Sequence, residues 1–148
     1  MILRLRVQCA SMNTAPTSTQ ALILFAHGSS NPTWREPFDD IARKVQTLLA
    51  KQGQAVAVQL AFLELMSPSV EKAVSDWVQQ GVRDIRIVPL FFGVGKHIAE
   101  DLCNIIAAVQ VELPDAMIQI MPALGQSDWM RQAMAEYAVR TLTDSASA

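Results

Sequence analysis

Four short apolar runs mark the chain, at Ala21–Ala26, Ala55–Leu63, Asp84–Phe92 and Met117–Pro122. Each is too short for a typical helix. Each is nearly continuous rather than alternating, the pattern of strands covered on both faces of a parallel sheet. Between them the period changes to that of a helix. Phe38, Ile41, Ala42, Val45, Leu48 and Leu49 share one face, and Pro37 suits the first helical position. Ser67-Pro68 reads as an N-cap with a first-turn proline, opening a helix with Val70, Ala73, Val74, Trp77 and Val78 inward and Gly81 as its stop. Ile98, Leu102, Ile105, Ile106 and Val109 form a third stripe that ends at Pro114. Ser127 or Asp128 caps a fourth helix, with Met130, Ala133, Met134, Tyr137 and Ala138 inward.

The order is βαβαβαβα. Right-handed crossovers turn this into an α/β domain, a small doubly wound four-stranded parallel sheet with strand order 2-1-3-4 and helices on both faces. Residues 1–19 lack a clear period and read as a disordered lead-in, with Met12 as a second candidate start. Residues 20–143 are the single domain, and 144–148 a flexible tail.

Composition narrows the function. The chain of 148 residues is 51% hydrophobic and carries a net charge of −2, so no basic face for nucleic acid is expected. Cys9 and Cys103 are the two cysteines, far apart, which is neither a disulfide framework nor zinc spacing. No apolar run spans a membrane and Met1–Val7 is too short and Arg-interrupted for a signal peptide, so a cytoplasmic protein is expected.

The chain has two histidines, His27 and His97. In an open parallel sheet, ligands bind beyond the carboxyl ends of the strands, at the point where the strand order reverses. His27 follows strand one, Glu64 follows strand two, and His97 stands a few residues beyond strand three, where helix three begins. Neighbouring strands lie about 4.8 Å apart, so three such ends can bring side chains together. Two imidazoles and a carboxylate suit a divalent first-row metal and leave coordination positions open. The bland alternatives are a hydrogen-bonded structural histidine and a solvated loop carboxylate. Glu100 and Asp101 are placed in the first turn of helix three, where acids complement the dipole; Asp101 is also a candidate for orienting an imidazole.

Other chemistries fail on spacing. Gly93-Val94-Gly95-Lys96 lacks the earlier glycine and the following Ser or Thr of a phosphate loop, and the first turn, HGSSNP, is not a dinucleotide fingerprint. No nucleophile elbow accompanies Ser29 or Ser30. The segment Phe91–His97 is apolar, glycine-rich and then helical. Its glycines permit close approach of a ligand, Phe91, Phe92 and Val94 offer a flat wall, and the helix start offers N–H groups to an anion. A flat, apolar, anionic-edged ligand beside a two-histidine metal site points to a tetrapyrrole; the bland alternative is a tight turn with core aromatics, fair for Phe91.

LILFAHGSSNPTWREPFDDIARKV, AFLELMSPSVEKAV and VPLFFGVGKHIAEDL resemble the short sirohydrochlorin cobaltochelatases of the CbiX type, from about Ala21 to about Leu142. The resemblance implies an ATP-independent lyase that inserts a divalent metal, Co²⁺ foremost, into sirohydrochlorin in cobalamin biosynthesis. Relatives insert Fe²⁺ or Ni²⁺ for other cofactors, and a non-catalytic metal or tetrapyrrole carrier is the further alternative. It implies His27, Glu64 and His97 as metal ligands and catalytic groups. Ser29, Glu64, Phe92, Gly93, Val94, Gly95 and Lys96 are the implied substrate contacts. Many relatives carry a glycine or a longer apolar stretch directly before the second histidine, where this chain has Lys96, a cation suited to an acidic substrate. No permanently bound cofactor is expected; the metal is a substrate. Longer family members hold two such halves in one chain, so a homodimer is expected here.

Overall fold

The computed structural model describes residues 18–93 and 95–144, apart from the side chains of Lys96, Thr143 and Asp144. Most of the expected lead-in (1–17), the end of the tail (145–148), Val94 and the side chain of Lys96 lie outside the described residues. Four parallel strands, β1 (Gln20–Ala26), β2 (Val56–Phe62), β3 (Asp84–Pro89) and β4 (Met117–Ile120), form one sheet in the order β2-β1-β3-β4. This is the expected topology. Leu24 sits between Leu60 and Val88, which makes β1 central. The described chain begins before the strand. The Ser18 hydroxyl lies 2.6 Å from the Ala55 carbonyl, and the Arg83 N–H donates to the Thr19 carbonyl.

The two faces of β1 build two cores because successive side chains alternate. Ile23 and Phe25, fully buried, join Ile85, Ile87, Val74, Leu102 and Ile106 under helices α2 (Val70–Gln79) and α3 (Lys96–Glu112). Leu24 and Ala26 join Leu60 and Phe62 beneath α1 (Glu36–Lys51), with Trp34, Phe38, Ala42 and Val45 packed on them. Within the α1 stripe, Ile41 and Leu48 fall at its edge and stay exposed.

Four local expectations change. Helix α2 begins at Val70 with Ser69 as cap, its hydroxyl accepting from the Lys72 N–H at 3.3 Å, not at Ser67-Pro68. Residues 68 and 69 are held against β2 instead: the Phe62 N–H donates to the Pro68 carbonyl, and Ser69 bridges to Phe62. Strand β3 stops at Pro89, which leaves Leu90–Gly93 as loop. Helix α3 starts at Lys96, so Glu100 and Asp101 stand in its second turn, beyond the strongest part of the dipole.

The largest change concerns α4 (Asp128–Asp144), capped by the Ser127 hydroxyl accepting from the Met130 N–H. Its expected inward stripe is not buried. Met130 and Ala133 are half-covered, whereas Met134 is 48% exposed and Tyr137 71%. The helix packs near the 3-10 turn Leu124–Gln126 that precedes it and then runs clear of the domain.

Candidate functional site

The rim at the carboxyl ends of β1 and β3, where the strand order reverses, is assembled from three loops. After β1 and β2 the parallel ladder continues: the Leu63 N–H donates to the Ala26 carbonyl and the Glu64 N–H to the His27 carbonyl at 3.1 Å. These backbone bonds hold His27 and Glu64 side by side. Nδ1 of the His27 imidazole faces Oε1 of Glu64 at 3.4 Å, with side chains 46% and 55% exposed. A carboxylate at Nδ1 orients the ring and leaves Nε2 as the outward lone pair.

Gly28 makes the pairing possible. Its φ is +94°, and a Cβ there would lie 1.8 Å from the Glu64 carbonyl oxygen. The turn that follows is stiffened by Ser29, whose hydroxyl accepts from the Asn31 N–H, and by the Asn31 carboxamide, which accepts from the Thr33 N–H. Ser29 therefore serves its own turn in this structure.

The His27 ring also stands edge-on to Phe91, with centroids 6.1 Å apart, and Phe91 packs edge-on against Phe25 at 5.4 Å. Phe91 is 8% exposed, so its bland reading as a core aromatic holds, and it also forms the floor under the imidazole. Phe92 turns outward, 52% exposed. A Cβ on Gly93 or Gly95 would meet nothing within 4 Å, so that side of the loop faces open space. Gly95 caps α3 without a side-chain bond, and exposed His97 follows in the first turn.

The structure thus brings His27 and Glu64 together and puts His97 at the start of the helix that follows β3. Among the described residues, no three His, Cys, Asp or Glu side chains are grouped closely enough to hold an ion. The histidines share a rim without forming a closed cage. An apolar cavity of about 100 Å³ lies behind Phe91, lined by Ile98, Leu102, Ile120 and Ala123. That is well below the roughly 300–1,000 Å³ of a small-molecule pocket, so a macrocycle would have to lie across the open rim.

One residue of this region has no signal in the periodicity. Gly125, in the turn before α4, donates its N–H to the Phe91 carbonyl at 3.2 Å, and a Cβ on it would lie 1.5 Å from the Phe92 carbonyl oxygen. Arg131 from α4 donates to the Gly125 carbonyl at 2.8 Å and holds the contact in place. Only the folded approach of the β4–α4 turn to the Phe91–Gly95 loop reveals why a glycine is needed. Gly125→Ala is expected to displace that loop and to cost about 1–3 kcal/mol of stability, which thermal melts beside the wild type check.

The CbiX family model matches residues 21–141. The sirohydrochlorin cobaltochelatase of Methanopyrus kandleri is 34% identical over 82 residues, 55% of this chain and 54% of that protein. That of Methanosarcina acetivorans is 30% identical over 91 residues, 62% of this chain and 67% of that one. The match spans about half the length of the Methanopyrus protein. Among solved structures, a CbiX protein from Marinobacter aquaeolei VT8 superposes with a TM-score of 0.72 at 27% identity, covering 85% of this chain and 97% of that one. The sirohydrochlorin chelatase SirB of Bacillus subtilis subspecies spizizenii, solved with cobalt, shares the fold at a TM-score of 0.62 and 24% identity, over 74% of this chain and 45% of SirB.

Proposed function

The chain belongs to the CbiX family, and from that membership we propose that it inserts a divalent metal, Co²⁺ foremost, into sirohydrochlorin without ATP. The observation that carries the reading is the His27–Glu64 pair on the rim beside the first turn of α3, which bears His97. Metal insertion exchanges two pyrrole N–H protons for one M²⁺. It needs a base beside the macrocycle and a metal held loosely enough to leave.

In this reading Glu64 holds the His27 ring by Nδ1; Nε2 would ligate the metal and, once the metal has passed on, accept one pyrrole proton, while the second proton leaves to water. His97 is the second ligand. An open pair of imidazoles with one carboxylate nearby gives affinity without a closed coordination shell, so the metal can pass to the four pyrrole nitrogens. Phe92 and the Gly93–Gly95 backbone form the wall on which the macrocycle lies. The N–H groups at the start of α3 face its carboxylates, helped by the positive end of the helix dipole. Val94, Lys96 and Ser29 complete the proposed contacts.

The shallow rim also supports a homodimer, since one chain provides a wall on one side only. Sedimentation of the full chain at micromolar concentration is expected to give twice the 16.2 kDa chain mass. Among the described residues no helix is long and apolar enough to cross a membrane, and we place the protein in the cytoplasm.

The function is tested by mixing purified protein with a large excess of sirohydrochlorin and Co²⁺ and following the absorption change of the macrocycle. Many turnovers per chain above the buffer rate support the enzyme. A single stoichiometric change without turnover favours a carrier, and no acceleration removes the proposal. Fe²⁺ and Ni²⁺ accept the same ligands, so the three metals are compared side by side.

A further inference from the structure

We infer that Leu65 is a second apolar support for the macrocycle, on the far side of His27 from Phe92, and that the fold carries backbone strain to hold it there. This contact rests on the chelatase reading above and extends it by one residue.

The strain is local. Leu65 has φ +60°, and the three other described residues at positive φ are glycines, Gly28, Gly53 and Gly81. For a leucine this region is costly, because Cβ crowds the following carbonyl oxygen. The Met66 N–H donates to the Glu64 carbonyl at 2.7 Å, which makes Leu65 the middle residue of a three-residue turn. A turn of this hand is rare, and glycine or asparagine would fill it at less cost. The neighbouring loops impose it. The Glu64 N–H is fixed to the His27 carbonyl, and the Glu64 carbonyl oxygen lies where a Cβ on Gly28 would fall. A conformation determined from both sides in this way persists despite its strain.

The Leu65 side chain gains no burial from it. Leu63 packs against the core under α2 and α3, and Met66 against the core under α1. Leu65, between them, is 69% exposed. An exposed leucine alone is ordinary; one that also occupies strained backbone points to a ligand. Its place on the rim gives the reason. His27 follows β1, with β2 on one side and β3 on the other. Leu65 stands in the loop after β2, and Phe92, also exposed, in the loop after β3. Two strand spacings separate these loops, about 10 Å, comparable with the width of a four-pyrrole ring. The two apolar side chains therefore flank the imidazole at a span that a flat macrocycle bridges. Both lie under one face of the ring, in keeping with an open rim.

If the strain serves binding, relieving it exchanges affinity for stability. Leu65→Asn accepts left-handed backbone and removes the apolar contact. It is expected to raise Tm by a few degrees and to weaken binding of metal-free sirohydrochlorin, followed by absorbance titration, by roughly 5–30-fold. Leu65→Ala removes the same contact without relieving the backbone, so it loses similar affinity with no gain in Tm. Leu65→Met keeps an apolar side chain of similar volume and restores most of the affinity. In turnover with Co²⁺, the Asn and Ala losses fall on KM for the macrocycle, with kcat and KM for Co²⁺ within about threefold of wild type. An Asn or Ala variant that binds sirohydrochlorin like the wild type overturns the inference, and the turn then serves only to place Glu64. Losses that fall on kcat or on KM for Co²⁺, or that persist in Leu65→Met, also overturn it, since they mark damage to the His27–Glu64 pair. A Leu65→Asn protein no more stable than wild type overturns the claim of strain. A wild type that binds sirohydrochlorin without turnover removes the chelatase reading alone, and the binding titrations still decide Leu65. Turnover left unchanged by all three variants removes Leu65 alone.

Discussion

His27→Ala is expected to slow Co²⁺ insertion into sirohydrochlorin by about 10²–10⁴-fold, the range for losing a positioned acid–base group. In the proposed reading the residue has two duties, ligating the metal and taking a pyrrole proton, and alanine can do neither. Stability should change little, because the side chain is 46% exposed and its paired carboxylate 55%. The Glu64 charge left behind is solvated, so no buried unpaired ion results. The informative comparison is Glu64→Gln. If Glu64 mainly orients the ring, this variant keeps a side-chain oxygen near Nδ1 and should lose only about 10–100-fold. Initial rates at saturating metal, with thermal melts of all three proteins, check both values. A His27→Ala protein with wild-type rate would remove this residue from the mechanism.

Gly28→Ala is expected to destabilise the fold by about 3 kcal/mol or more and to abolish insertion together with the His27–Glu64 pairing. Two penalties act at one atom. The backbone sits at φ +94°, a region that L side chains rarely adopt, and the new Cβ would be driven to 1.8 Å from the Glu64 carbonyl oxygen. That oxygen belongs to backbone already fixed by the 3.1 Å bond from the Glu64 N–H to the His27 carbonyl. The clash can be relieved only by parting the two loops. Gly53→Ala is the control: its φ is +67°, but a Cβ there would meet nothing within 4 Å. It should cost only about 1–2 kcal/mol from backbone conformation. A drop in Tm several degrees larger for Gly28→Ala than for Gly53→Ala supports close approach as the reason for the glycine. Equal drops would reduce that reason to conformation alone.

The fold was legible because it rests on local pattern. Ile23 and Phe25 alternate with Leu24 and Ala26, and that run of apolar residues announced a central strand with a core on either side. The stripes of α2 and α3 were equally readable, since Val74, Leu102 and Ile106 are buried by their own sheet. Helix starts were less so. Ser67-Pro68 carries the chemistry of a cap, but the bond from the Phe62 N–H to the Pro68 carbonyl claims those residues for the edge of β2. Of the candidate site, the placement of His27, Glu64 and His97 along one rim followed from topology, because loops after parallel strands emerge on the same side. Their mutual geometry did not follow, since side-chain direction depends on contacts between loops distant in sequence. Phe91 under the imidazole and Gly125 against the Phe92 carbonyl are contacts of that kind.

By itself, then, the sequence determined the number of strands, their order and the rim of the sheet to which His27, Glu64 and His97 belong, because periodicity and chirality act over a few residues at a time. Tertiary structure alone decided that Glu64 turns to Nδ1 of His27, that no third His, Cys, Asp or Glu side chain closes around them among the described residues, and that α4 leaves its stripe outside its own domain. Burial is the physical reason for the last point. A helix can advertise an apolar face in its spacing, but whether that face is covered depends on where the preceding turn, held at Gly125, directs it.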